Sequence, residues 1–299
     1  MTAINPLLFA ITLNWNRCQD TIECLASMEQ LDYPNIRLLL VDNGSSDETV
    51  HTVTQQFPAV KIIVNQQNLG FAGGFNVGLQ YALSENAEHV LILNNDTEID
   101  PMALRHMLKE AEDDVGMIAP KIYYHNDPNR IWSIGGDIQP LTIEKTNDAH
   151  GQLDVGQWDV TIEREFFTGC VLLLSRQLLT KIGLFDEQFF MYYEDSDMSF
   201  RARQAGFKLL LVPQAHVWHK VAVSSGGTDS PNERYWMGRS SILFFHKHVS
   251  GLQWFIVIPY RIGSGIKTTI RLLSHQQYDA VKSYFRGLYD GLREVFGSH

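Results

Sequence analysis

The sequence predicts an α/β fold with a mostly parallel central sheet, and three observations carry that prediction. Apolar runs of strand length recur early in the chain, at residues 7–13, 36–41, 60–64 and 90–93. They are continuous rather than alternating, as strands covered on both faces are. Each is followed by polar residues and a segment of helical length, the β-α succession that builds a parallel, doubly wound sheet. With 299 residues, 44% of them hydrophobic, the chain can bury one large domain and still carry an appendage.

The first strand, 7–13, ends in Asn14-Trp15-Asn16, and a helix follows from about Asp20, with Asp20 or Thr21 as its cap and Leu25 and Met28 on one face. Tyr33-Pro34-Asn35 is a turn into the second strand, 36–41, which ends in Asp42-Asn43-Gly44-Ser45-Ser46-Asp47. Ser46 or Asp47 opens the next helix, which reaches Gln56. The third strand, 60–64, leads to the glycine-rich loop Asn68-Leu69-Gly70-Phe71-Ala72-Gly73-Gly74-Phe75-Asn76 and a helix to about Ser84. The fourth, 90–93, stops at Asn94-Asn95-Asp96. A helix from Pro101 to Glu112 precedes strand material at 116–120 and 122–124. Residues 125–164, polar and rich in Gly, Asn and Asp, read as loops and short antiparallel strands. A strand at 166–174, a short helix at 176–182, a helix at 195–205 closed by Gly206, and a strand at 208–212 stopped by Pro213 complete the domain.

Composition narrows the function. A formal charge of −10 argues against nucleic acid as a partner. Three cysteines without metal-ligand spacing suit buried thiols in a reducing compartment. The first residues carry no basic segment ahead of the apolar run, so no signal peptide is expected, and no stretch is long and apolar enough to span a bilayer. A cytoplasmic location, peripheral on the inner face of the membrane, follows as the expectation.

In open α/β sheets the ligand lies beyond the carboxyl ends of the strands. Asp96 is therefore placed where a phosphate or a metal ion would lie, although a turn at Asn94-Asn95 with Asp96 capping the next helix is the plain alternative. Other tips behave alike: Asn14-Trp15-Asn16, Asp42-Asn43, the acids of Tyr192-Tyr193-Glu194-Asp195-Ser196-Asp197 at a helix mouth, and His216 and His219 after a strand. In these motifs, together with Asn68-Leu69-Gly70-Phe71-Ala72-Gly73-Gly74, Thr168-Gly169, Arg201 and Gly206, the chain resembles the family 2 glycosyltransferases. These have the GT-A, Rossmann-like nucleotide-sugar fold, and the closest likeness is to the bacterial rhamnosyltransferase branch. The resemblance covers roughly residues 7 to 248 and rests on the order and spacing of motifs that are individually weak.

The resemblance implies an inverting hexosyltransferase that moves a sugar, L-rhamnose from dTDP-rhamnose as the best choice, to a glycan or lipid-linked acceptor in cell-surface polysaccharide synthesis. The departing diphosphate gains negative charge, which a divalent metal, Mg or Mn, neutralises. Asp96 corresponds to the last acid of the family's Asp-X-Asp motif and Asn94 replaces the first. His219, in Trp218-His219-Lys220 ahead of Ser224-Ser225-Gly226-Gly227, corresponds to a metal-binding imidazole and is preferred to His216. Thr12, Asn14, Trp15, Asp42, Gly70, Asn76 and Asn95 fall on the nucleotide-sugar side: Asp42 accepts from a pyrimidine imide, Trp15 stacks on the base or else belongs to the core, and the glycines let backbone approach the pyrophosphate. Asp195 matches the base that deprotonates the acceptor hydroxyl, with Asp197 as rival and Glu194 as support. A helix N-terminus favours such acids structurally as well and lowers their basicity. Thr168, Gly169 and Trp132 are expected beside the acceptor. The loop from Val221 to Pro231 is expected to close over the donor.

The organisation expected is a catalytic domain over residues 1–248, with a nucleotide-binding half to about 115 and an acceptor half from about 116, followed by a helical extension over 249–299. That extension carries Leu252-Gln253-Trp254-Phe255-Ile256-Val257-Ile258-Pro259-Tyr260, and beyond Gly251 six Lys and Arg residues face three acids. Peripheral membrane contact, packing on the domain and a homo-oligomer interface are its three open uses. Other UDP- or dTDP-hexose donors, such as galactofuranose or N-acetylglucosamine, remain alternatives. So do a sugar-nucleotide pyrophosphorylase, whose Gly-rich basic loop is missing after the first strand, and a non-catalytic nucleotide-sugar binding module.

Overall fold

The computed structural model describes residues 5–221 and 229–297. Its first hundred residues alternate as expected: β1 (Leu8–Asn14), α1 (Cys18–Met28), β2 (Ile36–Asp42), α2 (Thr49–Gln56), β3 (Lys61–Val64), α3 (Gly70–Ser84), β4 (His89–Asn94). β1 pairs in parallel with both β2 and β4, and β2 with β3. Alternate residues of these strands enter two apolar layers. Phe9 and Ile11 pack with Phe75 and Leu79 of α3, while Leu8 and Ala10 pack with Leu25 and Met28 of α1. A strand buried on both faces has no polar side to show, which is why its sequence reads as an unbroken apolar run.

Beyond β4 the chain turns through Asn95-Asp96 into β5 (Thr97–Ile99), then α4 (Ala103–Lys109), β6 (Val115–Tyr124) and β7 (Asp127–Ser133). A largely irregular stretch leads to β8 (Ile162–Glu163). It is held by buried Lys121, whose Nζ lies 2.7 Å from both Asp154 and Asp159. β9 (Val171–Ser175), α5 (Arg176–Ile182), α6 (Glu194–Gln204) and β10 (Lys208–His219) complete the sheet, whose order is β3-β2-β1-β4-β9-β6-β10-β5. β9 runs antiparallel to both neighbours, β4 and β6, whereas β10 is parallel to β6. α7 (Pro231–His248), α8 (Trp254–Ser274) and α9 (Tyr278–Phe296) form the C-terminal helices.

Several expectations change. α1 begins before Asp20, and neither proposed cap serves it. Asp20 pairs with Lys220 at 3.0 Å, and Thr21 Oγ1 donates to Asn14 Oδ1 at 2.9 Å. Asp96 does not cap α4, because Asp100 accepts the Met102 N–H instead. β10 runs on past Pro213, the missing N–H falling in a register shift between Val212 and His216. Phe166 and Phe167 precede β9 rather than belong to it. The glycine-rich loop is largely the opening of α3, in which Gly70 has φ +74° and is filled over by Phe190.

Candidate active site

The reversed strand builds the site. Because β9 opposes β4, its beginning lies at the carboxyl edge of the sheet. Asn94 N–H donates to Cys170 O at 2.9 Å, and Thr168 and Gly169 stand just before that point. On the other side β10 pairs His219 with Thr97 of β5, bringing its ring to Asp96. α6 opens at the same edge with Glu194-Asp195. Asn94, Asp96, Trp132, Thr168, Gly169, Glu194, Asp195 and His219 all line one cleft of about 280 Å³. Asp96 and Asp195 thus share a single cavity.

Asp96 and His219 are buried, with Nε2 3.1 Å from Oδ1. That contact lacks hydrogen-bond geometry. Both Asp96 oxygens and His219 Nδ1 are without a hydrogen-bond partner among the described residues. Burial works against a charged ring at His219, but Cys170 and Asp96 beside it outweigh that and push it up to about 10. Trp132 meets the His219 ring edge-on at 4.4 Å between centroids, and Lys220 N–H donates to the Asp96 carbonyl at 2.9 Å. No group of three or more His, Cys, Asp or Glu converges for a metal among the described residues. The Asp96 oxygens, with a His219 nitrogen that must give up its proton to a metal, nonetheless suit a hard cation that takes its other ligands from phosphate and water.

Asp195 is held from two sides. Gly169 N–H donates to Oδ2 at 3.1 Å, Ser196 N–H and Oγ reach Oδ1 at 2.6 and 3.1 Å, and Lys145 Nζ lies 3.6 Å from Oδ1. Burial, and then the Asp195 charge, raise the Glu194 carboxyl well above its ordinary value, and its Oε2 has no partner among the described residues. Burial beside a second acid is what disfavours the charged form of Glu194. The chain enters α6 through Tyr192 and Tyr193, both left-handed at φ +65° and +71°. Non-glycine residues adopt that conformation only where their surroundings enforce it. Here Tyr193 packs on Phe244 and Phe245 of α7.

Other predicted residues lie elsewhere. Asn14 ties three strand tips together: its Nδ2 donates to Asp42 at 2.9 Å and to Ser45 at 3.0 Å, and its Oδ1 accepts from Asn95 at 3.1 Å. Asp42 is fully buried, whereas Trp15 is 49% exposed and so is not a core tryptophan. Three assignments are corrected. Thr12 is buried inside the layer, its hydroxyl accepting from Cys24 Sγ. Asn76 is spent on the turn before α6, donating to Phe185 O and Glu187 and accepting from Phe185 N–H. Asp197 is locked by Arg201, Lys247 and His248 at 2.7 to 2.8 Å. Burial pushes its carboxyl up, but His248, Arg201 and Lys247 prevail and hold it at about 2.

Gly70 and Gly74 likewise face Phe190 and Leu13 rather than open space, so their lack of a side chain serves packing. His216 turns to the other face of the sheet, against Tyr123 and Trp218. The closing loop expected from Val221 to Pro231 lies mostly outside the described residues. Phe71, Met191 and Glu233 also line the cleft and were not anticipated. Glu233 carries a legible signal: Ser230 with Glu233 is a capping box, Glu233 N–H bonding Ser230 Oγ at 3.1 Å while its carboxylate accepts from Asp229 N–H.

Residues 10–179 match the family model described as Glycosyl transferase family 2. An N-acetylglucosaminyl-diphospho-decaprenol L-rhamnosyltransferase of Mycobacterium tuberculosis is 27% identical over 231 residues, 68% of this chain and 72% of that protein. A dTDP-rhamnosyl transferase of Shigella flexneri is 21% identical over 303 residues, 98% of each chain. Among solved structures, a mannosyltransferase of Pyrobaculum calidifontis in complex with GDP-Man and Mn²⁺ superposes with a TM-score of 0.59 at 16% identity, over 99% of this chain and 77% of that one. The fold is therefore that of the GT-A glycosyltransferases. The pyrophosphorylase alternative falls away with the family match. Since that match spans more than half of the sequence, the chain belongs to glycosyl transferase family 2 and is a sugar-transferring enzyme.

Proposed function

We propose that the enzyme transfers L-rhamnose from dTDP-rhamnose, with inversion, to a hydroxyl of a glycan or lipid-linked saccharide. The observation that carries the reading is the single cleft in which the Asp96–His219 pair faces Asp195. The donor choice is supported by the rhamnosyl transfer named for the Mycobacterium tuberculosis and Shigella flexneri relatives. The metal is supported by the Mn²⁺ named for the Pyrobaculum calidifontis structure and by the unpartnered oxygens of Asp96.

Asp96 and His219 would hold the divalent ion, which supplies charge neutralisation for the departing diphosphate. Asp195 takes the proton from the acceptor hydroxyl as that oxygen bonds to the anomeric carbon. The bond from that carbon to the phosphate oxygen breaks, and its electron pair leaves with the nucleoside diphosphate. The Gly169 and Ser196 donors aim the carboxylate and free it from any search for geometry. Glu194, whose charged form burial disfavours, lessens the negative charge beside Asp195. Trp15 gives the base an aromatic face beside the strand tips.

Nucleoside diphosphate release from dTDP-rhamnose, compared with UDP-hexoses and repeated with EDTA, tests the reading. Release from dTDP-rhamnose that EDTA abolishes supports it. Preference for a UDP-hexose overturns the donor, and full activity in EDTA overturns the metal.

A further inference from the structure

Two apolar stripes face each other across an open groove among the C-terminal helices. Ile262, Ile266 and Ile270 recur along α8 and Phe285, Leu288 and Leu292 along α9, and together with α7 they wall a space of about 610 Å³ without a single carboxylate. α9 is docked: Gly287 and Gly291 let it approach α7 so closely that added Cβ atoms would meet the Tyr235 and Arg239 carbonyls at 2.0 and 2.8 Å. α8 is not. Of its 21 residues only Val257 and Leu272 are buried, and Phe255 is 78% exposed.

Charge identifies what covers this face. α8 carries Arg261, Lys267 and Arg271 with no Asp or Glu, in a chain of net charge −10. Arg261 and Arg271 pair with Glu144 and Asp229, which leaves Lys267 without an anionic partner among the described residues. A second copy laid α8 against α8 would give Lys267 no acid of that helix to meet, whereas an anionic lipid surface meets it with the opposite sign. No described helix is long and apolar enough to cross a membrane. An apolar face bordered by a lysine unpaired among the described residues then lies in the plane of the interface.

We propose that α8 and α9 form an interfacial docking surface for an anionic lipid bilayer, with the groove between them receiving an apolar lipid chain. α7 links this surface to chemistry, since Glu233 lines the cleft and Phe245 the groove. About 18 Å of helix separates them at 1.5 Å per residue.

Flotation of the full chain with vesicles of phosphatidylcholine, with and without phosphatidylglycerol, tests the proposal independently of transfer activity. Binding is expected only with phosphatidylglycerol and is expected to fall with added salt. Lys267→Gln should weaken it about fivefold. The double variant Ile262→Asp/Ile266→Asp should abolish it with an unchanged urea midpoint, because both side chains are exposed. Chain-brominated lipid should quench Trp254, which lines the groove, and Trp254→Phe should remove that quenching. Absent flotation, flotation unaltered by the double variant, or quenching that survives Trp254→Phe would each overturn the proposal. So would a dimer in light scattering that the double variant splits, since it would assign the face to a second copy.

Discussion

Three carboxylates within four residues behave differently because their neighbours differ. Asp195 faces the cleft with its oxygens oriented by amides, so Asp195→Asn should lower kcat about 10³-fold while leaving donor affinity intact, as stopped assays and equilibrium dialysis will report. Asp197, two residues on, has no exposed surface and three basic partners. Removing its charge strands those partners, and Asp197→Asn should cost about 3–5 kcal/mol in urea unfolding. Its folded value of about 2 lies below the ordinary 3.8, so its contribution of about 2 kcal/mol is complete above pH 4 and is lost as pH falls toward 2. The variant should therefore show a shallower acid limb in a plot of midpoint against pH. For the cation, Asp96→Ala should weaken Mn²⁺ binding by calorimetry more than about tenfold, and unchanged binding would remove Asp96 from the metal. Motif spacing marked Asp96, Asp195 and His219. It could not mark Asn76 as structural, because the groups that claim its amide lie 109 and 111 residues away.

Elements were legible in proportion to how local their cause is. β1, β2 and β4 are apolar runs with abrupt polar ends, and those ends are where the structure stops them. The direction of β9 was not legible, since its pairing with β4 and β6 is set by partners more than fifty residues distant and leaves no local mark. Pro213 misled for the opposite reason: its local meaning is clear, yet the irregularity between Val212 and His216 absorbs it. The glycines of α9 show the same dependence on context, for they look helix-breaking until α7 is laid across them. Gly287→Ala has no room against the Tyr235 carbonyl and should cost about 1–3 kcal/mol, read as a lower thermal midpoint. An unchanged midpoint would mean that α9 is held less closely.

At the scale of the molecule, the cleft draws its walls from residues as far apart in the chain as Phe71 and Glu233. No contiguous segment contains the site, which is why only the resemblance of scattered motifs, and no single stretch, announced it. The antiparallel course of β9 has one more result. The Asn94 N–H holds the Cys170 carbonyl at the head of β9, so slipping β9 along β4 by one position would draw Thr168 and Gly169 along the strand axis and withdraw the Gly169 amide from Asp195. Alignment deep in the apolar interior thus governs where the Asp195 carboxylate points. A conservative-looking insertion near Leu172 should lower transfer without altering any residue that lines the cleft.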